Sequence, residues 1–126
     1  MFKFLFPGPG FPSAGVALQG RKIVLAGLID LNSNGSDQAF ALARVLPRGG
    51  LDTTFNGKGR VVTDLSHGQD GAIGLAIQGD GKIILAGYSI PKSGVRGAIV
   101  RYTFDGSLDP KFNSTGIKRT ATDGEW

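Results

Sequence analysis

The 126-residue sequence contains no cysteine and only one histidine, one methionine and one tryptophan. The missing cysteine excludes disulfides, thiolate nucleophiles and cysteine-based zinc sites. No apolar run approaches the roughly 20 residues a transmembrane helix needs, so the reading is of no membrane insertion. No stretch carries the i, i+3, i+4, i+7 spacing of an amphipathic helix. Fourteen basic residues outnumber ten acidic ones, but they stand singly apart from Arg21-Lys22 and Lys118-Arg119. A nucleic-acid footprint gathers its charge on one face, and no such cluster is present. What the sequence has in quantity is glycine, 21 residues, alongside branched aliphatics and aromatics. Short strands separated by tight turns have that composition.

The chain is similar to itself at an offset of about 57–60 residues. Gly15-Val-Ala-Leu-Gln19 matches Gly74-Leu-Ala-Ile-Gln78, and Lys22-Ile-Val-Leu-Ala-Gly27 matches Lys82-Ile-Ile-Leu-Ala-Gly87. Phe40-Ala-Leu-Ala-Arg44 matches Gly97-Ala-Ile-Val-Arg101, and Leu51-Asp-Thr-Thr-Phe-Asn56 matches Leu108-Asp-Pro-Lys-Phe-Asn113. The offset changes only where turns are expected, as in a structural repeat.

Each repeated block reads as a strand. Val16 and Leu18, like Leu75 and Ile77, alternate with small residues, the period of a strand with one packed face. Residues 23–26 and 83–86 are continuous apolar runs of strand length, which predicts burial on both faces. Asp80-Gly81 between two strand patterns predicts a type I′ hairpin turn; Gln19-Gly20-Arg21-Lys22 is one residue shorter and must turn differently. Four strands per copy, at 59–65, 72–78, 82–88 and 98–102, match the content of a propeller blade. The expected fold is therefore all-β, with two blade equivalents and about eight short antiparallel strands. In this phasing the first copy covers 14–59 and the second 60–116, with a closing strand to 120 that completes the N-terminal blade. Residues 1–13 form a Pro/Gly/Phe-rich tail and 121–126 a C-terminal tail. Lys3 followed by Phe4-Leu5-Phe6 imitates an export signal, but the run stops at Pro7, short of the roughly 7–15 residues of an h-region.

Propellers close with about 4–8 blades, so two blades imply self-association or further repeats of a longer chain. The motifs Gln78-Gly-Asp-Gly-Lys-Ile-Ile-Leu-Ala-Gly87 and Arg101-Tyr-Thr-Phe-Asp-Gly-Ser-Leu-Asp109, with Phe112 and Gly116, resemble the bacterial delta-60 repeat. The first copy carries Lys22–Gly27, Phe40–Arg44 and Leu51-Asp52 with Phe55. The resemblance, over residues 14–120, implies a β-propeller-like fold in large proteins that are often exported or at the cell surface. It implies no activity.

The candidate chemistry is sparse. Asp30-Leu-Asn-Ser-Asn-Gly-Ser-Asp37 offers oxygens at alternating positions around a glycine, as calcium loops do, but the twelfth position is Ala41 and not a bidentate carboxylate. A polar loop bonding its own backbone is the stronger reading, with calcium second. His67 lies in a turn with Ser66, Asp64 and Asp70, but no nucleophile elbow accompanies it. Asp52 and Asp109 recur in Leu-Asp-x-x-Phe, which predicts turn capping, with Phe55 and Phe112 plugging the core. Arg44 and Arg101 end equivalent strands; they could bind acidic groups, and inter-blade hydrogen bonds are the expected role. No residue is assigned as catalytic, cofactor-binding or metal-binding, and no cofactor is expected. The expectation is a non-catalytic scaffold or protein-interaction module. A lectin-like assembly ranks second, because Tyr88, Tyr102 and Trp126 are few for sugar stacking. A hydrolase acting through His67 ranks third.

Overall fold

The computed structural model describes residues 15–32 and 34–120. Both terminal tails and Trp126 fall outside the described residues. Eight strands form, with no helix among the described residues: β1 (Gly15–Gln19), β2 (Lys22–Asp30), β3 (Gln38–Val45), β4 (Arg60–Thr63), β5 (Gln69–Ile77), β6 (Ile83–Ile90), β7 (Arg96–Tyr102) and β8 (Ile117–Arg119). The expected all-β, two-blade partial propeller is the architecture observed.

The phase differs from expectation. Strand β4 pairs antiparallel with β3, from Phe40↔Thr63 to Ala43↔Arg60, and so closes the first copy instead of opening the second. Likewise β8 pairs with β7 at Val100↔Ile117 and completes the second copy, so β8 does not close back onto the N-terminal blade. The reason is local. The chain after β3 reverses through a tight loop in which Gly59 N donates to Phe55 O and Arg44 N donates to Gly59 O, extending the β3 ladder directly into β4. This nearer reversal costs somewhat less closure entropy than a return across the whole chain. Blade 1 is thus β1-β2-β3-β4 and blade 2 is β5-β6-β7-β8, joined at one parallel bridge, Gln38↔Gln69.

Two turns also depart from the I′ pattern. At residues 78–82 only Gly81 takes positive φ (87°), and Gln78 N donates to Lys82 O, so this is a longer loop than a two-residue turn. The shorter Gly20-Arg21 turn has positive φ at Gly20 alone (62°), the II′ pattern.

The blades stack face to face. Val24, Ala26, Phe40, Leu42 and Phe55 of blade 1 form one buried core with Ala72, Ile83, Leu85, Ala98, Val100 and Tyr102 of blade 2. The matched strands β2 and β6 use opposite faces to do this: blade 1 contributes Val24 and Ala26, while blade 2 contributes Ile83 and Leu85, the counterparts of Ile23 and Leu25. The stacking is therefore head to tail, one copy's front against the next copy's back. Ile23 and Leu25 belong instead to a second cluster with Ile29, Ala39, Ala41, Ala43 and Val45 on the outer side of blade 1. Burying each large core side chain contributes about 1.5–3 kcal/mol. A polar tie within the core is Thr63 Oγ1 to the Tyr102 hydroxyl at 2.6 Å. Burial pushes the Tyr102 phenol well above its usual range, and the Thr63 bond only partly opposes this.

Candidate functional site

The most developed polar site lies where blade 2 meets the end of β3. Arg44, only 1% exposed, is sandwiched between the Phe55 and Phe104 rings at 4.5 and 4.6 Å from its guanidinium carbon. Its Nε donates to Asp52 Oδ2 at 2.8 Å. Its Nη1 donates to Gln19 Oε1 and to the backbone carbonyl of Phe104, each at 2.6 Å. Phe104 belongs to blade 2, so this arginine joins the blades, as expected from its strand-end position. A buried cation is tolerated here because Asp52 balances its charge and Gln19 and the Phe104 carbonyl accept further N–H groups.

Asp52 is shared. Lys22 Nζ lies 2.8 Å from Oδ2, while Oδ1 accepts from Thr54 N at 3.1 Å and Thr54 Oγ1 at 2.6 Å. Burial alone would raise its pKa; the bonds from Lys22, Thr54 and Arg44 outweigh burial and hold the carboxyl far below the usual carboxylate range. The Thr54 bonds are the turn capping that repetition predicted, and Phe55 is the fully buried plug.

The second copy builds the same set less completely. Arg101 Nε donates to Asp109 Oδ2 at 2.8 Å, Lys82 Nζ lies 3.0 Å from the same oxygen, and Lys111 N caps Oδ1 at 3.0 Å. The Phe112 ring sits 5.1 Å from the Arg101 guanidinium carbon. Burial raises the Asp109 pKa, but the bonds from Lys82, Lys111 and Arg101 lower it below its ordinary value. No inter-blade carbonyl reaches Arg101 among the described residues.

These depressed carboxyls set a pH dependence. Unfolded Asp52 titrates near about 3.9, whereas the folded chain keeps it ionised to much lower pH. The stabilisation is complete above about pH 5 and is lost progressively as pH falls below about 4. Urea midpoints at pH 7 and pH 3 should show a wild-type loss that is smaller in Asp52→Asn, although the variant starts lower at pH 7. Equal losses in both proteins would remove Asp52 as the source.

The other candidates are placed as follows. Asp30 Oδ1 accepts from Asn32 N at 3.2 Å and Oδ2 from Gly35 N at 2.8 Å, so the 30–37 loop turns its carboxylate onto its own backbone. Ser66 Oγ donates to Asp70 Oδ1 at 2.6 Å, while His67, 86% exposed, places Nδ1 2.9 Å from Asp64 Oδ2. The serine and histidine thus point to different carboxylates. Asp37 joins Asp64 and His67, their ligand atoms within 4.8 Å of one another, a spacing that can hold a cation. Asp37 comes from a separate loop, and nothing in its sequence neighbourhood marks the meeting. Tyr102 is fully buried against Thr63 and offers no stacking face to a sugar.

A family model described as "Domain of unknown function (DUF5122) beta-propeller" matches residues 21–55 and 78–112. Each matched span contains one Arg–Asp–Phe set. No curated protein and no solved structure matches the chain.

Proposed function

The chain belongs to the DUF5122 β-propeller family, and we propose that it serves as a non-catalytic propeller-repeat scaffold that presents loops and blade faces to other proteins. We read its repeats as the delta-60 type, from the Gln78–Gly87 block and Ser107-Leu-Asp109. One observation carries the scaffold reading. The Arg–Asp pair common to both copies is engaged within the fold, Arg44 with Asp52 and Arg101 with Asp109, each at 2.8 Å. Residues spent twice on the same structural bond serve the frame. The copies differ in their loops, residues 30–37 against 90–97, and a rigid frame with variable loops is a recognition architecture. We assign the chain no cofactor.

The test is a panel of chromogenic esters, phosphates and glycosides, with a glycan array alongside. The scaffold reading expects no turnover above that of His67→Ala and no glycan retention. Turnover abolished in His67→Ala would replace it with a hydrolase, and glycan retention with a lectin-like assembly.

A further inference from the structure

Within the chain, blade 2 seals blade 1. Val24, Ala26, Leu42 and Phe55 are all 0% exposed beneath it. The matching positions on the far side of blade 2 lie open: Ile84, Ile99 and Phe112 are only partly buried, Ala86 is exposed, and the Arg101 side chain is 19% exposed.

The polar groups tell the same story. In blade 1, Gln19 Oε1 accepts from Arg44, and Gln19 Nε2 donates across the junction to Gly81 O at 2.7 Å. Asn56 N donates across it to Asp105 O at 2.7 Å. In blade 2 the counterparts are unmet. Gln78 Oε1 is buried with no hydrogen-bond partner. The Arg101 Nη atoms and Asn113 N have no acceptor among the described residues. Yet Asn113 has the backbone conformation of Asn56, φ 50° against 53°. A buried acceptor without a partner, together with a guanidinium that bonds only through its Nε, marks a surface built to be covered.

The element that covers Arg44 is the turn 103–107, and blade 1 carries its structural copy. Thr103 N donates to Ser107 O at 2.8 Å and Gly106 N to Thr103 O at 3.1 Å. Leu46 N donates to Gly50 O and Gly49 N to Leu46 O, both at 2.8 Å. Gly106 and Gly49 share positive φ, 95° and 101°. Gly106 packs so tightly on Phe55 that a Cβ would lie 3.1 Å from the ring, whereas Gly49 has nothing within 4 Å. All of residues 46–50 are exposed. Beside this turn, Val16 and Leu18 are 65% and 68% exposed. They occupy the positions of Leu75 and Ile77, which blade 2 packs against the shared core.

We propose that the open face of blade 2 is a socket for the exposed part of blade 1, strand β1 and the turn 46–50, of a second copy of this chain, in which Arg101 donates to the carbonyl of the incoming Pro47. The inference rests on the scaffold reading and names its partner. Gln78 and Asn113 bond the incoming backbone as Gln19 and Asn56 bond blade 2, and Gly49 seats against Phe112. Pro47 replaces Phe104, so one aromatic face over the guanidinium is lost and the contact is weaker than the one inside the chain. Socket and plug are different surfaces of the chain, so the contact is heterologous and builds rings or filaments.

Sedimentation of the full chain across a concentration series tests this. The wild type is expected to rise above the 13.1 kDa monomer. Ala86→Glu blocks the socket and Leu18→Glu the plug, both at exposed positions that leave the fold intact. Each variant alone should stay monomeric, and an equimolar mixture should form a 1:1 dimer, because one intact socket then meets one intact plug. Arg101→Gln should weaken association about tenfold. A wild type that stays monomeric, or a mixture of the two variants that does, overturns the proposal. That failure leaves the scaffold reading standing, whereas turnover in the substrate panel would sink the scaffold reading without touching the contact.

Discussion

Arg44→Ala should destabilise the chain by about 3–5 kcal/mol, whereas the same change at Arg101 should cost about 1 kcal/mol or less in the monomer. The two arginines hold the same place in the repeat and the same 2.8 Å bond to an aspartate. They differ in surroundings. Removing the Arg44 side chain deprives the Phe104 carbonyl and Gln19 Oε1 of their donor, and opens a cavity between two rings. It also leaves Asp52 buried with only Lys22 to balance its charge. Each consequence alone is unfavourable, and together they break the junction between the blades. Removing Arg101 strips Asp109 of one of two cations on a side that solvent still reaches. Urea unfolding of both variants at pH 7 measures the difference. Equal losses would mean that the inter-blade carbonyl and the second ring contribute nothing, and the account of the junction would fall. Because the junction joins the two halves of a single core, Arg44→Ala should also lower the apparent m-value, as blade 1 and blade 2 cease to unfold together.

The difference between the arginines shows what a sequence of repeats carries and what it does not. Lys22–Gly27 and Lys82–Gly87 were legible as strands because the same apolar run recurs between glycine turns. Asp52 and Asp109 were legible as caps because one residue needed once per copy points to the frame. The blade boundary was not legible. A tandem repeat has no intrinsic origin, and residues 60–63 are equally adjacent in sequence to both copies. The ladder continuing from Arg44 N to Gly59 O decides the matter, and it depends on how Phe55 and Gly59 tighten the preceding loop. The unequal fates of Arg44 and Arg101 were illegible for the same reason: similar local sequences differ in whether a blade packs on them among the described residues. The meeting of Asp37 with Asp64 and His67 had no signal at all, because it depends on the single parallel bridge that sets one blade beside the other.

Gly87→Ala is the second substitution with a large expected effect, about 3 kcal/mol or more. Strand β5 carries a bulge: Ala72 pairs with Gly87 and Gly74 with Ala86, leaving Ile73 as an extra residue, 69% exposed. Such an extra residue bends the strand that carries it. A Cβ at Gly87 would lie 2.0 Å from the Gly71 carbonyl oxygen and 2.9 Å from the Ala72 Cα. Both obstacles are backbone, so no side-chain rotation relieves them; the strands must separate or the bulge must shift. A shift moves Ala72 out of the shared core and turns residues on one side of the bulge to the opposite face. Gly74→Ala, two residues along the partner strand with nothing within 4 Å of its Cβ position, is the control and should change stability by less than about 1 kcal/mol. If Gly87→Ala unfolds at the same urea concentration as Gly74→Ala, the close approach is not part of the native fold. If it unfolds earlier, the glycine that both copies place at the end of their Leu-Ala-Gly block is there, in the second, to let two backbones touch.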